Sequence, residues 1–157
     1  MRDSLVAFWF AAVQPYVSEL DAGAADRVWD EIIAPRLNEI LATSFEATCR
    51  QWLRRRNAAA ELPFTYRAMG RWWSGPDEID AVAMGEHDAH LLCECTFKKS
   101  PVGPDVLKDL RDKAARHFRR GEEWDWLFSK GGYANGGAWA SDDSRVRLVM
   151  PEELEEA

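Results

Sequence analysis

Two carboxylates stand where a carboxylate is costly. Asp80 sits inside the apolar run 78–84 (EIDAVAM), and Glu94 inside 89–97 (AHLLCECTF). Both runs read as strands, whose side chains alternate between faces. Glu78, Asp80 and Val82 therefore share one face of the first, and Leu92, Glu94 and Thr96 one face of the second. A charge in mid-strand needs a partner, a proton or a metal. Two acids on adjacent strands repel, which raises one pKa unless a cation lies between them. A hard divalent ion such as Mg²⁺ meets that need, since it takes one or two carboxylates plus waters.

Other chemistry finds less support. His87 and His90 are too few for a closed zinc site and read as part of a polar turn. Cys93 and Cys95 alternate with the acid positions and read as small core residues. No G-x-S-x-G elbow occurs, and no G-x-x-x-x-G-K-[ST] phosphate loop. The glycine-rich stretch 131–137 reads as a loop, with Lys130 before it within reach of a phosphate.

The elements that must position the pair follow from periodicity. Residues 3–13 read as a short helix ended before Pro15, with Leu5, Val6, Phe8, Trp9 and Phe10 too widely spread for one buried face. A second helix is expected over 24–34, with Val28, Ile32 and Ile33 inward and Pro35 interrupting or restarting it. A third follows to about residue 57, with Phe45, Cys49, Trp52 and Leu53 as its core stripe. Glu46 on that helix pairs naturally with Arg50, a contact worth only about 0.2–0.5 kcal/mol.

Residues 64–69 lean to strand, a turn is signalled at 74–77, and the runs 78–84 and 89–97 form a hairpin around a four-residue loop. A helix then carries Leu107, Leu110, Ala114 and Phe118 inward, with pairs Lys108/Asp112, Asp109/Lys113 and Asp112/Arg116 on its outer side. Strands at 124–129 and 146–149 and a short acidic helix from Pro151 complete the order. A helix between strands implies a parallel crossover and hence a mixed sheet. Trp9, Trp29 and Trp52 are expected in the core, whereas adjacent Trp72 and Trp73 must point to opposite faces.

Composition sets the frame. The 157 residues are 46% hydrophobic and carry a net charge of −7, enough apolar mass for one core and too acidic for a general nucleic-acid coat. The charge is uneven: seven acids face two arginines between Glu19 and Glu46, four arginines stand without an acid between Arg50 and Arg56, and six bases meet two acids between Lys108 and Arg120. No run approaches the ~18 apolar residues of a membrane span. Three cysteines and no leader pattern point to a reduced cytoplasmic protein.

An ordered set of residues carries a resemblance. It comprises Asp3 with Phe8-Trp9-Phe10, Phe45-Glu46, Gly70-Arg71-Trp72-Trp73, the run 78–83, Glu94-Cys95, Phe128-Ser129-Lys130-Gly131, and Pro151 to Leu154. The chain resembles the PD-(D/E)XK nuclease superfamily, and more closely the domain of unknown function at the C-terminus of archaeal-type DEXX-box ATPases. The resemblance implies a restriction-endonuclease-like mixed central sheet flanked by helices, after an N-terminal helical segment. It makes Asp80 and Glu94 the metal-binding acids for Mg²⁺ and Glu46 their helical support. The family's Glu-x-Lys lysine is Thr96 here, which has no charge to stabilise a phosphorane. Lys98, two residues on, is the candidate to reach back. Arg71, Lys99 and Lys130 are assigned to nucleic-acid phosphates. Ala42 replaces a frequent glycine.

The expected organisation is an apolar helix and linker at 1–20 and the sheet domain at 21–157. Lacking a phosphate loop, the chain is expected to be an isolated C-terminal domain or a piece of a longer protein. Two functions stay open. One is a DNA- or RNA-binding nuclease domain with weak or lost Mg²⁺-dependent hydrolysis. The other is an inactive regulatory module that docks on an ATPase, or on its own copy, through the N-terminal helix.

Overall fold

The computed structural model describes residue 6, residues 8–119 and residues 121–155. The chain divides into two compact units, one ending at Ala47 and the other beginning at Thr48. The division falls inside a long helix, α1 (Ala34–Ala58), whereas the sequence reading set its boundary at residue 20.

The first unit is helical. A π-helical turn (Trp9–Val13) runs into a 3-10 turn (Gln14–Tyr16) and the short helix Val17–Asp21. Pro15 does not end the helical path as expected. It falls in the first turn of a new segment, where its missing N–H has no helical partner to lose. Ala25–Arg27 enter a second π-helical turn, Val28–Ile33, which continues into α1. Pro35 follows directly. A proline ring collides with the carbonyl four residues back, and a wider turn relieves that collision.

Those wide turns also correct the aromatic assignment. Trp9 and Trp29 are 47% and 46% exposed, not buried. Each lies in a π-helical turn, whose added residue rotates the indole off the buried stripe. Ala12, Val28 and Ile33 form the buried cluster instead, with Phe8, Val13, Tyr16, Leu20 and Ile40 packed around it. Val6 and Phe10 are exposed as well. Asp3 and Leu5 lie outside the described residues.

The second unit is built on a five-stranded sheet in the order β1 (Ala68–Ser74), β2 (Asp77–Met84), β3 (His90–Thr96), β4 (Glu123–Ser129), β5 (Val146–Val149). The first three strands are antiparallel neighbours, and β3–β4 and β4–β5 are parallel. The mixed sheet is thus as expected. β1 begins later than the 64–69 reading, because Phe64 packs on Trp124 and the Tyr66 N–H donates to Asn57 Oδ1 instead of a strand partner.

Helix α2 (Pro104–His117) links β3 to β4. Its Leu107, Leu110 and Ala114 are buried with Ile79, Val82, Leu92 and Leu127. The second half of α1 provides a different core contact: Trp52, 1% exposed, meets Trp126 and Phe128 edge-on. The Trp52 indole N–H donates to the Glu153 carbonyl of α3 (Pro151–Glu155) at 2.9 Å. Trp72 packs on His117 and Phe118 while Trp73 is 70% exposed, as adjacent strand positions require.

Candidate functional site

β2 is irregular at its acid. Gly70 of β1 faces Val82 and Trp72 faces Ile79, so Asp80 and Ala81 together stand opposite Arg71 alone. This extra residue is a β-bulge, a device that re-aims a side chain. On the other edge of β2, regular pairing with β3 runs from Met84↔His90 to Ala81↔Cys93. Beyond that point the Asp80 carboxylate takes over, and its Oδ2 accepts the Cys95 N–H at 2.8 Å. Arg50 of α1 donates to the Asp80 carbonyl at 3.0 Å. Backbone and side chain of Asp80 are both fixed next to Glu94.

Glu94 projects on the α2 side of β3. Its Oε1 lies 3.6 Å from Lys113 Nζ, and its Oε2 is buried without a hydrogen-bond partner. Burial first, and the Asp80 charge second, push the Glu94 carboxyl up to about 7; Lys113 opposes them. The repulsion expected between the two acids is therefore present. Among the described residues no group of three or more His, Cys, Asp or Glu side chains could hold a metal ion. Two carboxylates, one with an unsatisfied buried oxygen, fit a hard divalent ion that draws its remaining ligands from water.

Lys113 is a residue the sequence reading placed on the outer side of α2. It pairs with Asp109 at 2.8 Å, as expected, yet is only 13% exposed and also reaches Glu94. Its position three residues after buried Leu110 was the available signal. Burial alone would lower the Lys113 pKa, but Asp109 and Glu94 raise it. Arg116 pairs with Asp77 at 2.9 Å, and His117 Nε2 lies 2.7 Å from the same carboxylate oxygen.

Thr96 ends β3 opposite Ser129, on the face Glu94 occupies by alternation. Its carbonyl accepts the Lys130 N–H at 3.0 Å. Past it, Lys98, Lys99 and Lys130 are exposed on the two loops leaving β3 and β4. These loops rejoin at a Val102↔Tyr133 bridge. A Cβ on Gly131 would meet the carbonyls of Lys98, Lys99 and Ser100 at 2.6–2.7 Å, so only glycine permits this approach. Lys130 Nζ rests 3.9 Å above the Phe97 ring. The ammonium at Glu94 belongs to Lys113, and Lys98 lies on the exposed loop.

Arg71, exposed on β1, is paired with Glu78. Glu46 is half-buried on α1, within the first unit. Cys93 is buried in the sheet and Cys95 half-buried. His90 corrects the polar-turn reading: it is 5% exposed on β3 and packs on Phe118, and burial lowers its pKa. His87 does lie in the turn, exposed and with φ of 55°.

A third acid in an apolar run went unnoticed in the sequence. Asp125 of β4 is 1% exposed, and burial raises its pKa. An arginine meets one of its oxygens: Arg111 Nε donates to Asp125 Oδ2 at 2.7 Å, and the same guanidinium bonds Asp143 at 2.7 Å, while Asp125 Oδ1 is buried without a hydrogen-bond partner. This bridge ties α2 to β4 and to the loop before β5.

A mixed α/β domain with two acids brought together where the antiparallel strands β2 and β3 part is the class that fold and geometry define. The chain belongs to the DUF234 family, described as archaea bacterial proteins of unknown function, whose model matches residues 9–125. It is 31% identical over 112 residues to Uncharacterized protein MJECL04 of Methanocaldococcus jannaschii, a match covering 71% of this chain. The chain spans about a quarter (25%) of the length of that curated relative. No solved structure matches it. No helix among the described residues is long and apolar enough to cross a membrane.

Proposed function

We propose that this chain is a nuclease-fold, nucleic-acid-binding domain of the PD-(D/E)XK type, with weak or lost Mg²⁺-dependent phosphodiester hydrolysis. The observation that carries the reading is the fixed Asp80 carboxylate, bonded to the Cys95 N–H beside Glu94 with its unsatisfied buried oxygen. Asp80 and Glu94 would hold the ion. A divalent cation at such a site polarises a phosphodiester and activates a water. Lys98, Lys99 and Lys130 supply positive charge for the strand backbone on the adjoining loops. Thr96 offers a hydroxyl where a cation is wanted, so charge developing on the phosphate lacks a partner there.

Cleavage of DNA and RNA with Mg²⁺ or Mn²⁺ tests this reading. The wild-type protein is expected to cut little or not at all. Thr96→Lys should raise the rate by about 10²–10³, the usual value of one stabilising donor. Asp80→Asn in that background should abolish the gain. If Thr96→Lys neither cuts nor binds metal, the reading fails.

A second reading is favoured by a different observation. Val6, Trp9, Phe10 and Trp29 of the first unit are all exposed, and an apolar surface of this kind marks an interaction site. In this reading the domain docks on an ATPase module or on another copy of itself. Sedimentation of the wild-type chain against Phe10→Ser separates the two partners. Self-association lost in the variant identifies a homo-oligomer; a monomer in both leaves the ATPase module.

A further inference from the structure

We infer that Lys113 is an internal counter-cation that holds the metal's place at the Asp80–Glu94 pair, so that a divalent ion binds there by displacing the ammonium from Glu94 and leaving it on Asp109 alone. This inference rests on the reading of Asp80 and Glu94 as the metal pair. Two carboxylates flank the Lys113 ammonium, and a third stands beside one of them. Lys113 Nζ lies 2.8 Å from Asp109 Oδ2 and 3.6 Å from Glu94 Oε1, and the Glu94 carboxylate is next to Asp80. The two contacts differ in kind. Asp109 is 62% exposed and Glu94 23%, so the Glu94 contact is the less hydrated and the longer of the two. The ammonium therefore needs only to give up its longer contact, while keeping its shorter one, for Glu94 to be vacated.

The chemistry of the two cations makes them rivals. Lysine is a compact point charge on a flexible stem with three rotatable donors. It satisfies a carboxylate without fixing the geometry that Mg²⁺ demands. With Lys113 in place, an ammonium lies 3.6 Å from Glu94 Oε1, and a divalent ion at that carboxylate would meet a like charge. Asp109 sits four residues before Lys113 on α2 and works as the parking position. The device sets the affinity of the pair, keeping it neutralised in the ion's absence.

Calorimetric titration of the full chain with Mn²⁺ alone, then Mg²⁺ alone, tests this without any turnover. Lys113→Met keeps the stem and removes the charge, and it should tighten Mn²⁺ binding by about tenfold or more, given what a nearby like charge costs. Asp109→Asn, an exposed change that leaves the fold alone, should weaken binding, because Lys113 then has only Glu94. Lys108→Met removes an equal charge from the same helix, 78% exposed and paired with Asp112, and should leave affinity within twofold. Binding by wild type with no tightening in Lys113→Met, or equal tightening in Lys108→Met, overturns the inference while leaving the metal pair intact. No Mn²⁺ binding by wild type or by Lys113→Met overturns the reading of the pair itself and this inference with it.

Discussion

Asp80 Oδ2 accepts the backbone N–H of Cys95 at 2.8 Å, a side chain on one strand doing the work of a main-chain partner on the next. The antiparallel ladder stops at Ala81↔Cys93, and the bulge at Asp80 and Ala81 turns the carboxylate into the space where the strands part. Because the Cys95 amide is spent on Asp80, the neighbouring Glu94 faces a fixed negative charge. That one relationship accounts for much of the unusual electrostatics of the site.

Glu94 should make stability fall as pH rises. Its carboxyl is raised to about 7 in the folded chain from an ordinary 4.5, so the folded state binds the proton more tightly than the unfolded one. The cost appears as pH rises above 4.5 and is complete above 7, with a ceiling of about 3 kcal/mol. Glu94→Gln should therefore stabilise the protein at pH 8 in a chelating buffer and change little at pH 4.5. Urea unfolding at the two pH values measures the difference.

Arg111→Met should destabilise the second unit by about 2–3 kcal/mol at neutral pH, because it leaves Asp125 buried and charged. Asp125 already titrates above its usual range through burial, and without Arg111 it must rise further. A raised acid costs stability above its unfolded pKa and recovers it as pH falls through the folded value. Thermal melts of Arg111→Met should thus approach wild type on acidification. The double change Arg111→Met with Asp125→Leu should restore most of the loss at pH 7.

Removing Lys99 and Lys130 together should weaken nucleic-acid binding without sequence preference. If both touch phosphates, the slope of log affinity against log salt should flatten by about 1.8 on duplex DNA. Fluorescence anisotropy across a salt series reads this directly. An unchanged slope would place the nucleic acid elsewhere on the protein.

Several features were legible along the chain alone. The hairpin of β2 and β3, the crossover helix with Leu107, Leu110 and Ala114 buried, and the two last strands follow from local periodicity. So does the awkwardness of Asp80 and Glu94, since a charged residue in an apolar strand announces itself wherever the strand ends up. Tertiary structure decided how each acid is resolved. Asp125 carried the same signal and Arg111, 14 residues away in sequence, bonds it at 2.7 Å, while Glu94 has Lys113 at 3.6 Å; each acid keeps one buried oxygen without a partner. Periodicity cannot rank those outcomes, because it reports which face a side chain takes and not which distant group meets it. The same limit explains Lys113, placed outside by its charge and drawn inside by Glu94. It also explains Trp9 and Trp29, where one added residue in a helical turn rotates a face that ideal 3.6-residue spacing would have buried.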